Sequence, residues 1–354
     1  MSGREDDSRG TLAATLRKNS EEAAKWSSPL YSTLCSHMAA DVTAGGPTWR
    51  LLAPYATEPA DEYYPFRALA GVHHMVLRGE LDELKAHYPS EGGDGDGEAA
   101  WPLVRDAFAA MPGEVISSLK HPLQTNETAR CGALVGGFLT VAAEAGMPLR
   151  VRELGASAGL NLHFDRYRYE QDGAAFGPAD SPVRFRDHWR EGVPPFDAPL
   201  EVVSRRGCDI DPIDPTTDEG RLSLLAFMFP DQMRRYELLR EAIEVARAFP
   251  SEVDKESVET WVERELAELP EGEATVVYHS LFWIYLPDEI RAKTKAAIED
   301  AASRAGEANP LAWLSYELGP ELVDCELRLT SWPGGEERLL ATGDVHIAPV
   351  RWLA

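Results

Sequence analysis

From residue 149 the chain reads Leu149-Arg-Val-Arg-Glu-Leu154 and then Gly155-Ala-Ser-Ala-Gly159. Alternating apolar and polar residues fit a strand, whose side chains point to opposite faces in turn. The glycines that follow fit a turn whose backbone must come close to a neighbour or a ligand. A helix is expected next, over residues 159–167. This strand, turn and helix set the class of the fold. Strand–helix alternation continues to the end of the chain and predicts a mostly parallel sheet covered on both faces.

The later elements follow the same logic. Residues 201–205 read as a short strand and 222–229 as an apolar one. Helices are expected from Asp231, which would cap the first, and over 258–269. The run Ala274-Thr-Val-Val-Tyr-His-Ser-Leu-Phe-Trp283 has the composition of a buried strand. A helix over 288–305 and a strand over 311–316 come next. The chain closes with an antiparallel hairpin around Pro333-Gly-Gly-Glu336. Residues 167–170 and 183–186 flank a Gly/Pro-rich stretch and predict an inserted hairpin.

Upstream of residue 149 the pattern is helical. Helices are expected over 30–38, 66–78, 101–119 and 126–145, the last capped by Asn126. Pro89-Ser-Glu-Gly-Gly-Asp-Gly-Asp-Gly97 reads as a loop. The expected organisation is a disordered N-terminus over 1–20, a helical cap domain over 21–148 and a Rossmann-like domain over 149–354 with its insertion at about 165–200.

Composition limits the function classes. Fifty-nine acidic residues stand against 35 Lys and Arg, a formal net charge of -24. A field of that sign repels nucleic-acid phosphate, so no nucleic-acid partner is expected. No run of eighteen apolar residues is present, so no membrane span is expected. The first ten residues are polar and lack a signal-peptide core, which gives a cytoplasmic location as the expectation. The four cysteines, Cys35, Cys131, Cys208 and Cys325, are widely spaced and read as buried thiols without metal. The oligomeric state is open.

The glycine turn admits two chemistries. Glu153, Gly155, Ala156, Ser157, Gly159 and Asn161 would suit S-adenosylmethionine. Free N–H groups at a helix start would meet its carboxylate, and Glu153 its cationic side. A second acid, Asp209, would take the ribose hydroxyls, and Asp231 the adenine amino group. The same residues spell Gly155-Ala-Ser157-Ala-Gly159, a nucleophile-elbow pattern. Downstream partners in the order Asp231…His279 or Asp344…His346 would complete a triad. Against that reading, the turn follows the first strand of the sheet and no oxyanion-hole loop precedes it.

Ser28-Pro-Leu-Tyr31, Gln124-Thr-Asn-Glu127, Glu153-Leu-Gly-Ala-Ser-Ala-Gly-Leu-Asn161, Asp165-Arg-Tyr167, Gly207-Cys-Asp209, Phe229-Pro-Asp-Gln232, His279-Ser280 and Asp344-Val-His346 together resemble a prokaryotic family known as domain of unknown function 2332. The resemblance spans nearly the whole chain. It implies a core like that of class I S-adenosylmethionine-dependent methyltransferases. From that pattern the chain departs at Ser157, where a glycine is usual, and at the spacing of Asp209, more than fifty residues after Glu153.

Further candidates lie outside the turn. Gln124, Asn126 and Glu127 precede a helix and would bind a small-molecule substrate, as would Ser280. His279 is the candidate general base on a methyl acceptor. The expected function is therefore a methyltransferase for a small molecule. A serine hydrolase using Ser157 and a non-catalytic Rossmann-fold binding protein are the alternatives.

Overall fold

The computed structural model of the chain describes residues 2–120, 124, 126–345 and 349–354. Its first part is helical: α1 (Ser2–Lys25), α2 (Pro29–Thr43), α3 (Pro47–Leu52), α4 (Tyr64–Leu77), α5 (Asp82–Lys85), α6 (Gly97–Ala110), α7 (Pro112–Leu119) and α8 (Cys131–Ala145). Where disorder is expected over residues 1–20, the described residues 2–20 lie in α1. Leu12, Ala13 and Leu16 fall on one face and are buried with Ala23, enough to hold a polar segment as a helix. The single helix expected over 101–119 is two, divided at Met111-Pro112 because proline cannot supply the amide that would continue the turn.

The strands and remaining helices are β1 (Leu149–Leu154), β2 (Arg168–Gln171), β3 (Ala174–Phe176), β4 (Arg184–Arg186), β5 (Trp189–Glu191), β6 (Val202–Asp209), α9 (Asp218–Phe227), α10 (Met233–Ala248), β7 (Glu252–Lys255), α11 (Val258–Glu265), β8 (Ala274–Ser280), α12 (Asp288–Ala302), β9 (Leu311–Leu318), β10 (Cys325–Trp332), β11 (Glu336–Gly343) and β12 (Val350–Trp352). Residues 222–229, expected as a strand, belong to α9 and the bend after it. A short apolar run does not by itself separate a buried helix from a buried strand. The deciding signal is upstream, where the Thr217 hydroxyl accepts from Gly220 N–H and Asp218 and Glu219 fill the first turn.

Among the described residues one nine-stranded sheet has the order β5-β12-β11-β10-β9-β8-β1-β6-β7. Strands β7, β6, β1, β8 and β9 are mutually parallel, while β10 and β11 form the antiparallel closing pair. The fold is thus mixed α/β, mostly parallel, with an N-terminal helical region. The insertion is not a simple hairpin: β2 pairs antiparallel with β3 but parallel with β4.

The chain divides into two compact units. One comprises Met1–Thr125 with Thr217–Glu237, the other Asn126–Thr216 with Leu238–Ala354. The helical unit is built around Tyr31, Phe66 and Phe229, with ring centroids 4.7–6.4 Å apart. In the sheet unit, Leu154, Cys208, Trp261, Val277 and Ile298 fill the face under α11 and α12. On the opposite face α8 stacks Phe138 on Phe164 at 3.8 Å and edge-on to Tyr278 at 5.0 Å.

Candidate functional site

Strand β1 lies at the centre of the parallel region, with β6 on one side and β8 on the other. The chain leaves β1 toward β6 and later returns on the β8 side, so the order reverses at the β1–β8 junction. In open α/β sheets the crevice at the carboxyl ends of such strands is where ligands bind. Here those ends carry Glu153, Cys208-Asp209 and His279-Ser280, with Glu153 in register with Tyr278 and Leu154 with Cys208.

Three residues of the glycine turn adopt left-handed backbone: Gly155 at φ +66°, Ser157 at +53° and Gly159 at +72°. The neighbouring strand β6 holds it through one carbonyl and one side chain. Ala156 N–H donates to Cys208 O at 2.9 Å, and Ser157 N–H donates to Asp209 Oδ2 at 2.9 Å. The other oxygen of Asp209 accepts from Asp211 N–H at 2.9 Å. Gly207 is required on β6 because a Cβ there would stand 2.5 Å from the Ala156 methyl. Above Gly155 lies the ring of Phe282, 2.1 Å from where a Cβ would be.

The helix expected over 159–167 is a short 3₁₀ helix, Leu160–Arg166. Its carbonyls are claimed by side chains: Tyr167 Oη donates to Leu160 O, Arg205 to Leu162 O and Tyr169 Oη to Phe164 O, at 2.6–2.8 Å. Those bonds replace the i to i+4 ladder. Leu160 N–H donates to Asn126 Oδ1 at 3.0 Å. Asn126 therefore pins the turn rather than capping α8. Glu127 caps the turn before α8 instead, accepting from Ala129 N–H.

Glu153 is fully buried on the α8 face of the sheet. Burial pushes its pKa up to about 8, with the charge of Asp209 adding to the rise. Tyr278, Asn161 and Arg130 pull the other way. The Tyr278 hydroxyl and Asn161 lie against the carboxyl, and its Oε2 makes no bond of full hydrogen-bond geometry. Cys131 lies beside it and donates from Sγ to Asn161 Oδ1 at 3.2 Å. Arg130 donates to the carbonyl of Ser280 at 2.9 Å, while its Nε is buried without a partner.

His279 occupies the opposite face of β8. Its Nδ1 lies 2.7 Å from Glu317 Oε1, at the end of β9. The acid that His279 meets within the sheet unit is thus Glu317. Asp231 belongs to the helical unit, where its carboxylate accepts from Ser28 Oγ at 2.6 Å and Leu30 N–H at 2.8 Å. It caps α2. Those bonds join the Ser28-Pro-Leu-Tyr31 and Phe229-Pro-Asp-Gln232 motifs. Gln124 also counts with the helical unit. His346 lies outside the described residues.

The sheet unit therefore brings Asn126, Glu127, Glu153, Gly155, Ala156, Ser157, Gly159, Asn161, Asp209, His279 and Ser280 to one stretch of sheet edge and its covering turns. Sequence reasoning missed Arg130, Tyr278, Phe282 and Glu317. An acid closing the apolar run Leu311-Ala-Trp-Leu-Ser-Tyr316 was the available signal for Glu317. Among the described residues no group of three or more His, Cys, Asp or Glu could hold a metal ion, and no helix is long and apolar enough to cross a membrane.

A family model described as an uncharacterized protein conserved in bacteria, DUF2332, matches residues 13–352. This chain belongs to the DUF2332 family. Nothing among the curated proteins or the solved structures matches it. The motifs quoted above thus lie within a DUF2332 domain that covers both units, and the site has to be read from its own chemistry.

Proposed function

We propose that this DUF2332 protein is an S-adenosylmethionine-dependent methyltransferase acting on a small molecule, with the cofactor at the β1–β8 junction. The observation that carries the reading is Glu153, a buried carboxyl whose Oε2 lacks a bond of full hydrogen-bond geometry, where the strand order reverses. An under-bonded acceptor in low dielectric is costly, and a cationic group placed against it repays the cost. The ammonium or sulfonium of S-adenosylmethionine has that charge. Asp209 also fits: an ionised carboxylate offers about four lone-pair sites, and the two backbone amides leave room for ribose hydroxyls.

Other parts of the turn fit less well. Phe282 covers Gly155, and the N–H groups of Ser157 and Leu160 are taken by Asp209 and Asn126. The residues that would hold the cofactor are therefore Glu153, Asn161 and Asp209. Asp231 is left to helix capping. When bound, S-adenosylmethionine supplies an electrophilic methyl group. Glu153 ionises on meeting the cation, because an opposite charge favours the charged form. Asn126 and Asp209 keep the turn rigid. Rate enhancement rests on holding donor and acceptor in line.

Calorimetry in two buffers of different ionisation enthalpy tests this assignment. At pH 7, S-adenosylmethionine binding should release protons from the wild type and fewer from Glu153→Gln. Buffer-independent heats in the wild type would remove Glu153 as the partner of the cation.

A further inference from the structure

Glu317 Oε1 accepts three hydrogen bonds: from His279 at 2.7 Å, Phe282 N–H at 2.9 Å and Trp283 N–H at 3.1 Å. Burial alone would push this acid up. The hydrogen bonds from His279 and the two amides outweigh it, and hold the pKa below the ordinary carboxylate value. An ionised carboxylate only accepts, so Nδ1 of His279 carries the proton and donates it. A neutral imidazole in that tautomer keeps its lone pair on Nε2. That atom is buried and has no hydrogen-bond partner.

The surroundings are aromatic. Trp283 stacks on the imidazole at 4.8 Å and Trp313 lies at 6.0 Å. Phe282, whose ring covers Gly155, is 6.5 Å from it, so the glycine turn and the imidazole border one ring. The segments after β8 and β9 expose Ile284, Tyr285, Leu322 and Val323.

We infer that His279 is the general base for the hydroxyl of a flat, apolar acceptor, and that Glu317 is the positioning residue that fixes its tautomer. The inference rests on the methyltransferase reading above. A phenol or alcohol is protonated at neutral pH and is a weak nucleophile in that form. Nε2 takes the hydroxyl proton while the oxygen lone pair forms the bond to the methyl carbon. The bonding pair of the donor's carbon–sulfur bond stays on sulfur. A thiolate or carboxylate acceptor would need no such base.

Nitrogen–proton NMR of histidine-labelled full-length protein tests this, with phenol as the probe and S-adenosylhomocysteine present at saturation. The wild type should show His279 protonated at Nδ1, and phenol should shift its Nε2 resonance. Glu317→Gln should lose the single tautomer; should that variant fail to fold, the wild-type titration alone decides. An Nε2-protonated His279, or an Nε2 resonance unmoved by saturating phenol, would overturn the inference. Failure of S-adenosylhomocysteine and S-adenosylmethionine to bind, with tautomer and phenol response intact, would instead overturn the cofactor reading and leave the dyad in place.

Discussion

Asp209 holds Ser157 by its backbone: Oδ2 accepts the Ser157 N–H at 2.9 Å across the β1–β6 pair. The serine is in left-handed backbone at φ +53°, a conformation that costs a non-glycine residue roughly 1–2 kcal/mol. The carboxylate pays part of that cost. Asp209→Ala should therefore destabilise the protein by about 1.5–3 kcal/mol, the range for hydrogen bonds to a charged group. Chemical denaturation measures it. Ser157→Gly should fold with stability unchanged or slightly raised, because glycine relieves the strain. It should also keep its affinity for the cofactor, whereas a serine hydrolase would lose all activity.

Glu153 makes stability depend on pH. Its folded-state pKa of about 8 lies above the ordinary value of 4.5. The folded state thus holds a proton that the unfolded state has released between those values. Stability is fully present below pH 4.5 and falls as pH rises to about 8, by roughly 1.4 kcal/mol per pH unit at most. Glu153→Gln should flatten this slope and melt higher than wild type at pH 8. Melting temperatures at several pH values for both proteins check it; parallel curves would contradict it.

Two left-handed glycines form a controlled pair. Gly146, after α8, has φ +60° and open space around it, so Gly146→Ala should cost only the backbone strain, about 1 kcal/mol. Gly155→Ala carries similar strain at φ +66° and also drives a methyl into Phe282 at 2.1 Å. Overpacking of that kind adds about 1–3 kcal/mol. The double variant Gly155→Ala with Phe282→Ala should recover part of the overpacking cost, read by denaturant midpoint.

Asp231→Ala should weaken the helical unit by about 1–2 kcal/mol, the cost of a lost N-cap. It should leave cofactor affinity unchanged, because its carboxylate is committed to Ser28 and Leu30. A large loss of affinity in a folded Asp231→Ala variant would return it to the site.

The sheet was legible where the chain repeats simple patterns. The apolar run of β8 and the alternation of β1 state their structure directly, and the glycine turn marks the carboxyl edge of the parallel strands. What stayed hidden depends on side-chain partners that no local pattern announces. The 3₁₀ form of Leu160–Arg166 follows from bonds made by Tyr167, Tyr169 and Arg205. Asn126 looks like a helix cap until Leu160 N–H is placed against it. Asp231 looks like the cap of its own helix, yet it caps one 200 residues earlier. Glu317 gains meaning only because β9 lies beside β8.

The central claim is that Glu153 at the β1–β8 junction holds the cationic side of S-adenosylmethionine. Isothermal titration of S-adenosylmethionine at pH 7.5 into wild type, Glu153→Gln and Asp231→Ala tests it most directly. The account predicts saturable binding to the wild type and to Asp231→Ala, and at least about tenfold weaker binding to Glu153→Gln, the equivalent of roughly 1.4 kcal/mol. No binding to the wild type at millimolar cofactor, or equal affinity for a folded Glu153→Gln, would contradict it.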